Sequence, residues 1–182
     1  WMQLTRTRNE NRKIWDQIQP VLSKGEFDKA RSMVNDDKST ISQMLSMGLA
    51  RQGAVRRRED IEIAMEESMM EIIPQLEKRT PYLALLSNIA TLLGLLGTIM
   101  GLIEAFTAVS NANPAEKADL LSASISVAMN TTAFGLMVAI PLLLVHAKLS
   151  STTGQIVDSL EMASVKALNS ISNFAKRQFP AS

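Results

Sequence analysis

The sequence predicts an all-α integral membrane protein built around an antiparallel pair of transmembrane helices. Three observations carry that prediction. Two long apolar segments, about 82–109 and 120–148, are separated by only about ten residues. Each can cross a hydrocarbon layer of ~30 Å as a helix rising 1.5 Å per residue. No stretch alternates apolar and polar residues with the period of two that a strand needs.

The charge distribution divides the chain. Of 19 Lys/Arg and 18 Asp/Glu, residues 1–80 hold 14 and 13, whereas residues 82–147 hold no Arg and a single Lys. The reading is a charged helical region over 1–80, a transmembrane hairpin over 81–149, and a C-terminal helix over 150–182. The inter-helix loop carries Lys117 beside Glu116 and Asp119, while Lys78, Arg79 and Lys148 flank the hairpin. The positive-inside rule then puts both ends of the chain in the cytoplasm and the short loop outside. Trp1 followed by Arg6 and Arg8 resembles the exit of a membrane helix, so a further transmembrane helix is expected to precede this chain.

Before the hairpin, Asn9–Leu22 reads as a short helix with Ile14, Trp15 and Ile18 at helical spacing, stopped near Pro20. A second helix is expected to start at Gly25, with Phe27, Ala30 and Val34 on one face, and to end at Asn35-Asp36-Asp37. Ser39 or Thr40 can cap a third, through Ile41, Met44, Leu45 and Leu49. From about Val55 an amphipathic stretch runs through Ile61, Ala64, Met65, Met69, Ile72, Ile73 and Leu76 toward the membrane, with a kink expected at Pro74 or Pro81. Beyond the hairpin, Val157, Leu160, Ser164, Leu168, Ile171 and Phe174 or Ala175 form a stripe expected to face partner helices.

Composition excludes several functions. With no cysteine, disulfides and thiolate metal sites are ruled out, and no cofactor or metal cluster is indicated. A formal charge of +1 gives no reason to expect nucleic acid, and the basic run Arg56-Arg57-Arg58 suits a solvated face or anionic lipid. Lacking a nucleophile constellation or phosphate loop, the chain is not expected to be an enzyme.

The hairpin carries the chemistry. Gly94, Gly97 and Gly101 share a narrow arc of its first helix with Ala105 and Ala108, and Ala128, Thr132, Gly135 and Ala139 share a face of the second. Small residues at these spacings let helix backbones approach closely in lipid. Asn88, Thr91 and Thr98 lie on a partly separate arc. Hydroxyls here either bond to their own helix or line a polar path. Glu104, about 9 Å outward of Thr98, either snorkels to the outer surface or serves an ion path. His146, beside Lys148, reads as an interfacial anchor.

These residues resemble the MotA/TolQ/ExbB proton-channel family, and its ExbB/TolQ branch in particular. The resemblance rests on Leu76-Glu-Lys-Arg79, Asn88-Ile-Ala, Leu92-Leu-Gly-Leu-Leu-Gly-Thr-Ile-Met-Gly-Leu-Ile-Glu-Ala-Phe106 and Thr132-Ala-Phe-Gly-Leu-Met-Val-Ala-Ile-Pro141. It implies the second and third of three transmembrane helices in a homo-pentamer of the bacterial inner membrane. The implied partners are a single-span ExbD/TolR-like subunit whose aspartate carries the proton and a TonB/TolA-like transducer that receives the force. The threonines lining the path would be Thr98 and Thr132. The family glutamate expected five residues before the second threonine is Val127 here, and Glu104, at similar depth, is the candidate replacement. A MotA-like flagellar stator and a non-conducting membrane scaffold are the alternatives.

Overall fold

The computed structural model describes residues 2–52 and 58–178, with side chains as far as Ala175. The readings made for Trp1, Val55 and the Arg56-Arg57 pair lie outside those residues. Six helices follow in order: α1 (Met2–Ser23), α2 (Phe27–Asn35), α3 (Thr40–Gln52), α4 (Arg58–Glu77), α5 (Thr80–Asn111) and α6 (Lys117–Gln178). No strand occurs among the described residues. Two compact units result: Trp1–Lys78 with Leu149–Ser182, and Arg79–Lys148.

In the first unit, α1 to α4 and the end of α6 close around one apolar core. Trp15, Ile18 and Leu22 of α1, Ala30 and Val34 of α2, and Ile41, Met44, Leu45 and Leu49 of α3 enter it, with Ile61, Met65 and Ile72 of α4. Ile156, Leu160, Ala163, Ala167, Leu168 and Ile171 of α6 complete it. The C-terminal stripe thus faces this chain's own helices, and its first member is Ile156, with Val157 only half-buried. Ser164 is buried in the stripe, as its spacing indicates.

Two expectations about α1 are corrected. It starts at Met2 and continues through Pro20 to Ser23. Pro20 is exposed, so the carbonyl it leaves unbonded one turn earlier can be satisfied by water. Gly25 ends α1 and does not start α2. Its φ of 79° is left-handed, its N–H donates to the Leu22 carbonyl, and the Glu26 N–H donates to Val21. That pair of bonds is a Schellman closure, which favours glycine. The ring of Phe27 meets that of Phe174 edge-on at 5.2 Å, joining α2 to α6.

The start of α3 is held from two sides. Ser39 Oγ accepts the Ser42 N–H at 3.3 Å as an N-cap, while Asn11 of α1, fully buried, accepts the Ile41 N–H at 3.3 Å and bonds Thr40. Asp37 accepts the Ser39 N–H at 2.9 Å. Burial raises the Asp37 carboxyl, but hydrogen bonds from Ser39, Ser42 and the Lys38 backbone outweigh it, leaving the group below its ordinary 3.8. A depressed carboxyl stabilises the fold above 3.8, and that contribution is lost as pH falls through its folded value. Asp37→Ala should therefore melt at lower temperature than the parent at pH 7, and the gap in Tm should close on acidification below about 3.8.

The helical run continues through Pro74, which lies exposed within α4. It is interrupted at Lys78-Arg79 instead, and Pro81 falls in the first turn of α5, where its missing N–H costs nothing. The apolar windows of the helical stretches Arg58–Asn111 and Lys117–Ala175 are long enough to cross a membrane, and only 17% and 11% of them is buried. A core helix of a water-soluble protein would show the reverse.

A single seam runs along α6. From Leu121 through Ala128, Gly135, Leu142, Leu149 and Ile156 to Ala163, every seventh residue is buried or half-buried. The same holds for Ile125, Thr132, Ala139, His146, Thr153, Leu160 and Ala167. Alternating steps of three and four are the spacing of coiled-coil packing.

Candidate functional site

The site is built where α5 and α6 touch. Ser87, Gly94 and Gly101, seven residues apart, are buried on α5 together with Ala105, and Ala128 and Ala139 are buried on α6. Contacts pair Ser87 with Ala139, Gly94 with Gly135 and Gly101 with Ala128. Numbers rise along one helix as they fall along the other, so the two run antiparallel.

Glycine sets the separation. A Cβ on Gly135 would lie 2.8 Å from both the Ala90 carbonyl oxygen and the Gly94 Cα. One on Gly94 would meet the Gly135 Cα at 3.3 Å, and one on Gly101 would meet the Ala128 Cβ at 2.6 Å. Gly97 faces the side chain of Thr131, which would be overrun by any added carbon. All four predicted packing glycines therefore sit at the contact. Large apolar side chains such as Leu92, Leu93, Met100, Phe134 and Met137 point away from it, more than half exposed.

That closeness brings Thr98 and Thr132 together. Their hydroxyls are hydrogen-bonded to each other. Thr132 Oγ1 also reaches the Gly94 carbonyl at 3.0 Å, and Thr98 Oγ1 reaches the same oxygen at 3.3 Å. Gly94 is one turn before Thr98, so its carbonyl already accepts the Thr98 backbone N–H in the helix. Two hydroxyls thus compete for the remaining lone pair of one carbonyl. One hydroxyl donates to the carbonyl and the other donates to the first, and the order reverses when both protons rotate. Such a pair offers a free lone pair at one end of a short chain of bonds.

The other path residues are placed differently. The Thr91 hydroxyl donates to the Ser87 carbonyl at 3.1 Å, and Asn88 and Glu104 are exposed on α5. Asn130 is exposed on α6. By the antiparallel register, Glu104 is level with about Ile125, some 3 Å along the axis from Val127. Glu104 falls two turns beyond Gly97 and Val127 one turn beyond Thr131, the residues that touch each other. The two positions therefore share one edge of the helix pair.

Sequence reasoning missed Ser87. It is 1% exposed, and its hydroxyl donates to the Ala139 carbonyl at 2.9 Å, tying the helices together one seam position inward of Gly94. The signal was its place seven residues before Gly94, in register with Gly101. Thr131 was also missed, because its neighbour Thr132 carries the more evident face.

A profile of the MotA/TolQ/ExbB proton channel family matches residues 36–162, more than half of the chain. The chain is 37% identical over 87 residues to the Tol-Pal system protein TolQ of Haemophilus influenzae, covering 48% of this chain and 38% of that protein. It is 46% identical over 59 residues to biopolymer transport protein exbB1 of Vibrio cholerae, covering 32% and 26%. A putative biopolymer transport protein ExbB homolog of Methanothermobacter thermautotrophicus is 27% identical over 146 residues, 80% of this chain and 50% of that protein. The chain thus spans half or less of the length of these relatives. With the glycine-spaced helix pair and its two threonines inside the matched region, the chain belongs to the MotA/TolQ/ExbB proton channel family, in its ExbB/TolQ branch.

Proposed function

We propose that this chain is a proton-channel and stator subunit of the bacterial inner membrane, converting proton-motive force into mechanical work for energised transport across the outer membrane. The observation that carries the proposal is the Thr98–Thr132 hydroxyl pair on the Gly94 carbonyl, half-buried in the contact of a largely apolar helix pair. In this reading α5 and α6 cross the bilayer as a hairpin over 81–149, with residues 1–80 and 150–182 in the cytoplasm. Lys78, Arg79 and Lys148 at its inner ends support that orientation. Five copies surround a single-span ExbD/TolR-like subunit, whose aspartate brings the proton to the threonines, and a TonB/TolA-like protein receives the force.

Thr98 and Thr132 accept from and donate to the carrier by rotating their hydroxyls. Thr91 and Asn88 extend the polar arc inward, and Glu104 supplies outward the carboxylate that Val127 lacks. Gly94, Gly97, Gly101 and Gly135 fix the spacing on which the hydroxyl pair depends. A lipid-facing carboxylate costs ~2.5–3.5 kcal/mol at mid-bilayer on insertion scales. A water-filled vestibule at the Val127 edge removes that cost.

The test is proton flux into liposomes carrying this chain with its single-span partner, followed by an entrapped pH dye. Flux well above that of the partner alone is expected. Equal flux would make the chain a scaffold. Glu104→Gln should slow the flux by about tenfold, the size expected from losing one well-placed charge-assisted hydrogen bond; an unchanged rate would remove Glu104 from the path.

A further inference from the structure

Outside the α5–α6 contact, two strongly exposed apolar side chains of the first unit fall on one face of α4. Ile63 is 56% exposed and Met70 73% exposed, one heptad apart on the side opposite the buried Ile61, Met65 and Ile72. Glu59 and Glu66 complete that outer stripe at steps of four and three, and Glu67 and Glu71 flank it. Seven residues of α4 are acidic and one is basic, and none of these carboxylates is ion-paired among the described residues. An apolar ridge bordered by unpaired carboxylates asks for a hollow bordered by cations.

The same unit carries one. Met2, Thr5, Arg6, Asn9, Glu10 and Lys13 line an open hollow along α1. Met2 is 81% exposed there, and Arg12 and Lys13 are exposed without an ion pair among the described residues. Among the described residues Arg6 is engaged only by Glu10 at 2.6 Å, an exposed i,i+4 pair of small energetic weight that can exchange partners. The hollow and the ridge each span about twelve residues, roughly 17 Å of helix.

Position decides the occupant. Both α1 and α4 pack on α3, and both reach α6, through Arg8 to Gln155 and Arg58 to Asn169. Ile63 and Met70 on the ridge, like Met2 and Lys13 at the hollow, are exposed, so neither surface is covered within the chain. They join head to tail with other copies, the arrangement that closes into rings. We propose that the Glu59–Glu71 face of α4 docks into the α1 hollow of a second copy of this chain. The proposal rests on the homo-oligomeric reading above and names the surface that would hold it in the cytoplasm.

Charge exchange tests it on the full chain in nanodiscs, with copy number read by native mass spectrometry. Glu66→Lys, Glu67→Lys and Glu71→Lys together should lower the oligomer fraction by about tenfold through like-charge contact. Arg6→Glu, Arg12→Glu and Lys13→Glu together should do the same, and combining the two sets should restore it. Because the chain has no cysteine, Met70→Cys and Asn9→Cys on separate, mixed copies should form a single mixed disulfide product. Wild-type protein found only as single copies would remove the oligomeric reading and this interface with it. An intact oligomer in both reversed sets, or a combination no better than either set, would overturn this interface alone. Loss of single-span partner binding on reversing α4, with copy number unchanged, would give the face to that partner and overturn the proposal.

Discussion

Thr132→Ala is expected to slow proton flux by about tenfold or more, with Thr98→Ala close behind and the double variant little worse than the more severe single one. The reasoning starts from the shared carbonyl. With both hydroxyls present, whichever one donates to Gly94 accepts from the other, whose lone pair is then open to a donor on the carrier. Removing either member ends the exchange, because the survivor has only helix carbonyls to donate to and no second hydroxyl to trade places with. The loss of one net hydrogen bond, about 1–1.5 kcal/mol, corresponds to roughly a factor of ten. Groups that act as one unit give non-additive losses, so the double variant separates a coupled pair from two independent sites. Thr132→Ser keeps the hydroxyl and should retain most of the rate. Flux measured in liposomes at matched protein content, with copy number checked, decides the matter. Full flux in both alanine variants would sink the pore-lining assignment.

Gly135→Ala should separate α5 from α6 and cost about 1–3 kcal/mol or more of hairpin stability, the range for overpacking a filled contact. Its methyl would meet backbone atoms on two sides, at 2.8 Å each, and backbone cannot rotate away as a side chain can. Gly94→Ala meets its neighbours at 3.3 Å and should cost less. Gly154 on α6 provides the control, since nothing lies within 4 Å of the place its Cβ would occupy. Alanine there should stabilise the helix by roughly 0.5–1 kcal/mol, the usual gain from reduced backbone freedom. Denaturation midpoints in SDS titrations rank the three. An order other than Gly154, parent, Gly94, Gly135 from most to least stable would contradict the contact geometry.

Much of this arrangement can be read from residue spacing, for identifiable reasons. Gly94, Gly101, Ala128, Thr132 and Gly135 are legible because small residues at helical spacing have few other uses in so apolar a segment. A short connection makes the helices antiparallel, and the Gly94–Gly135 and Gly101–Ala128 contacts put Thr98 and Thr132 at one level. What escaped was set by tertiary context. Pro20 looks like a stop until its exposure shows where the unbonded carbonyl can find water. Gly25 looks like a beginning because the left-handed φ that makes it an ending has no sequence signature beyond glycine itself. The offset from Val157 to Ile156 is one residue, or 100° of helix, and only the position of the neighbouring helices fixes it. Ser87 carries no charge and sits among leucines, so its bond to Ala139 depends on a partner 52 residues away.

The seam of α6 keeps its spacing while its residues change size. Between Ala128 and Ala139 it is made of Ala, Thr and Gly, whereas from Leu142 to Leu160 it is mostly Leu and Ile. In hydrocarbon an apolar side chain gains nothing by leaving its surroundings, so contact there depends on how near two backbones can come. In water the same seam is closed by expelling solvent from large side chains. One geometric ruler thus serves two chemistries of adhesion, and a perturbant can address them separately. In the membrane orientation proposed above, urea would act on the cytoplasmic portion, whereas a thicker bilayer would strain the spanning one.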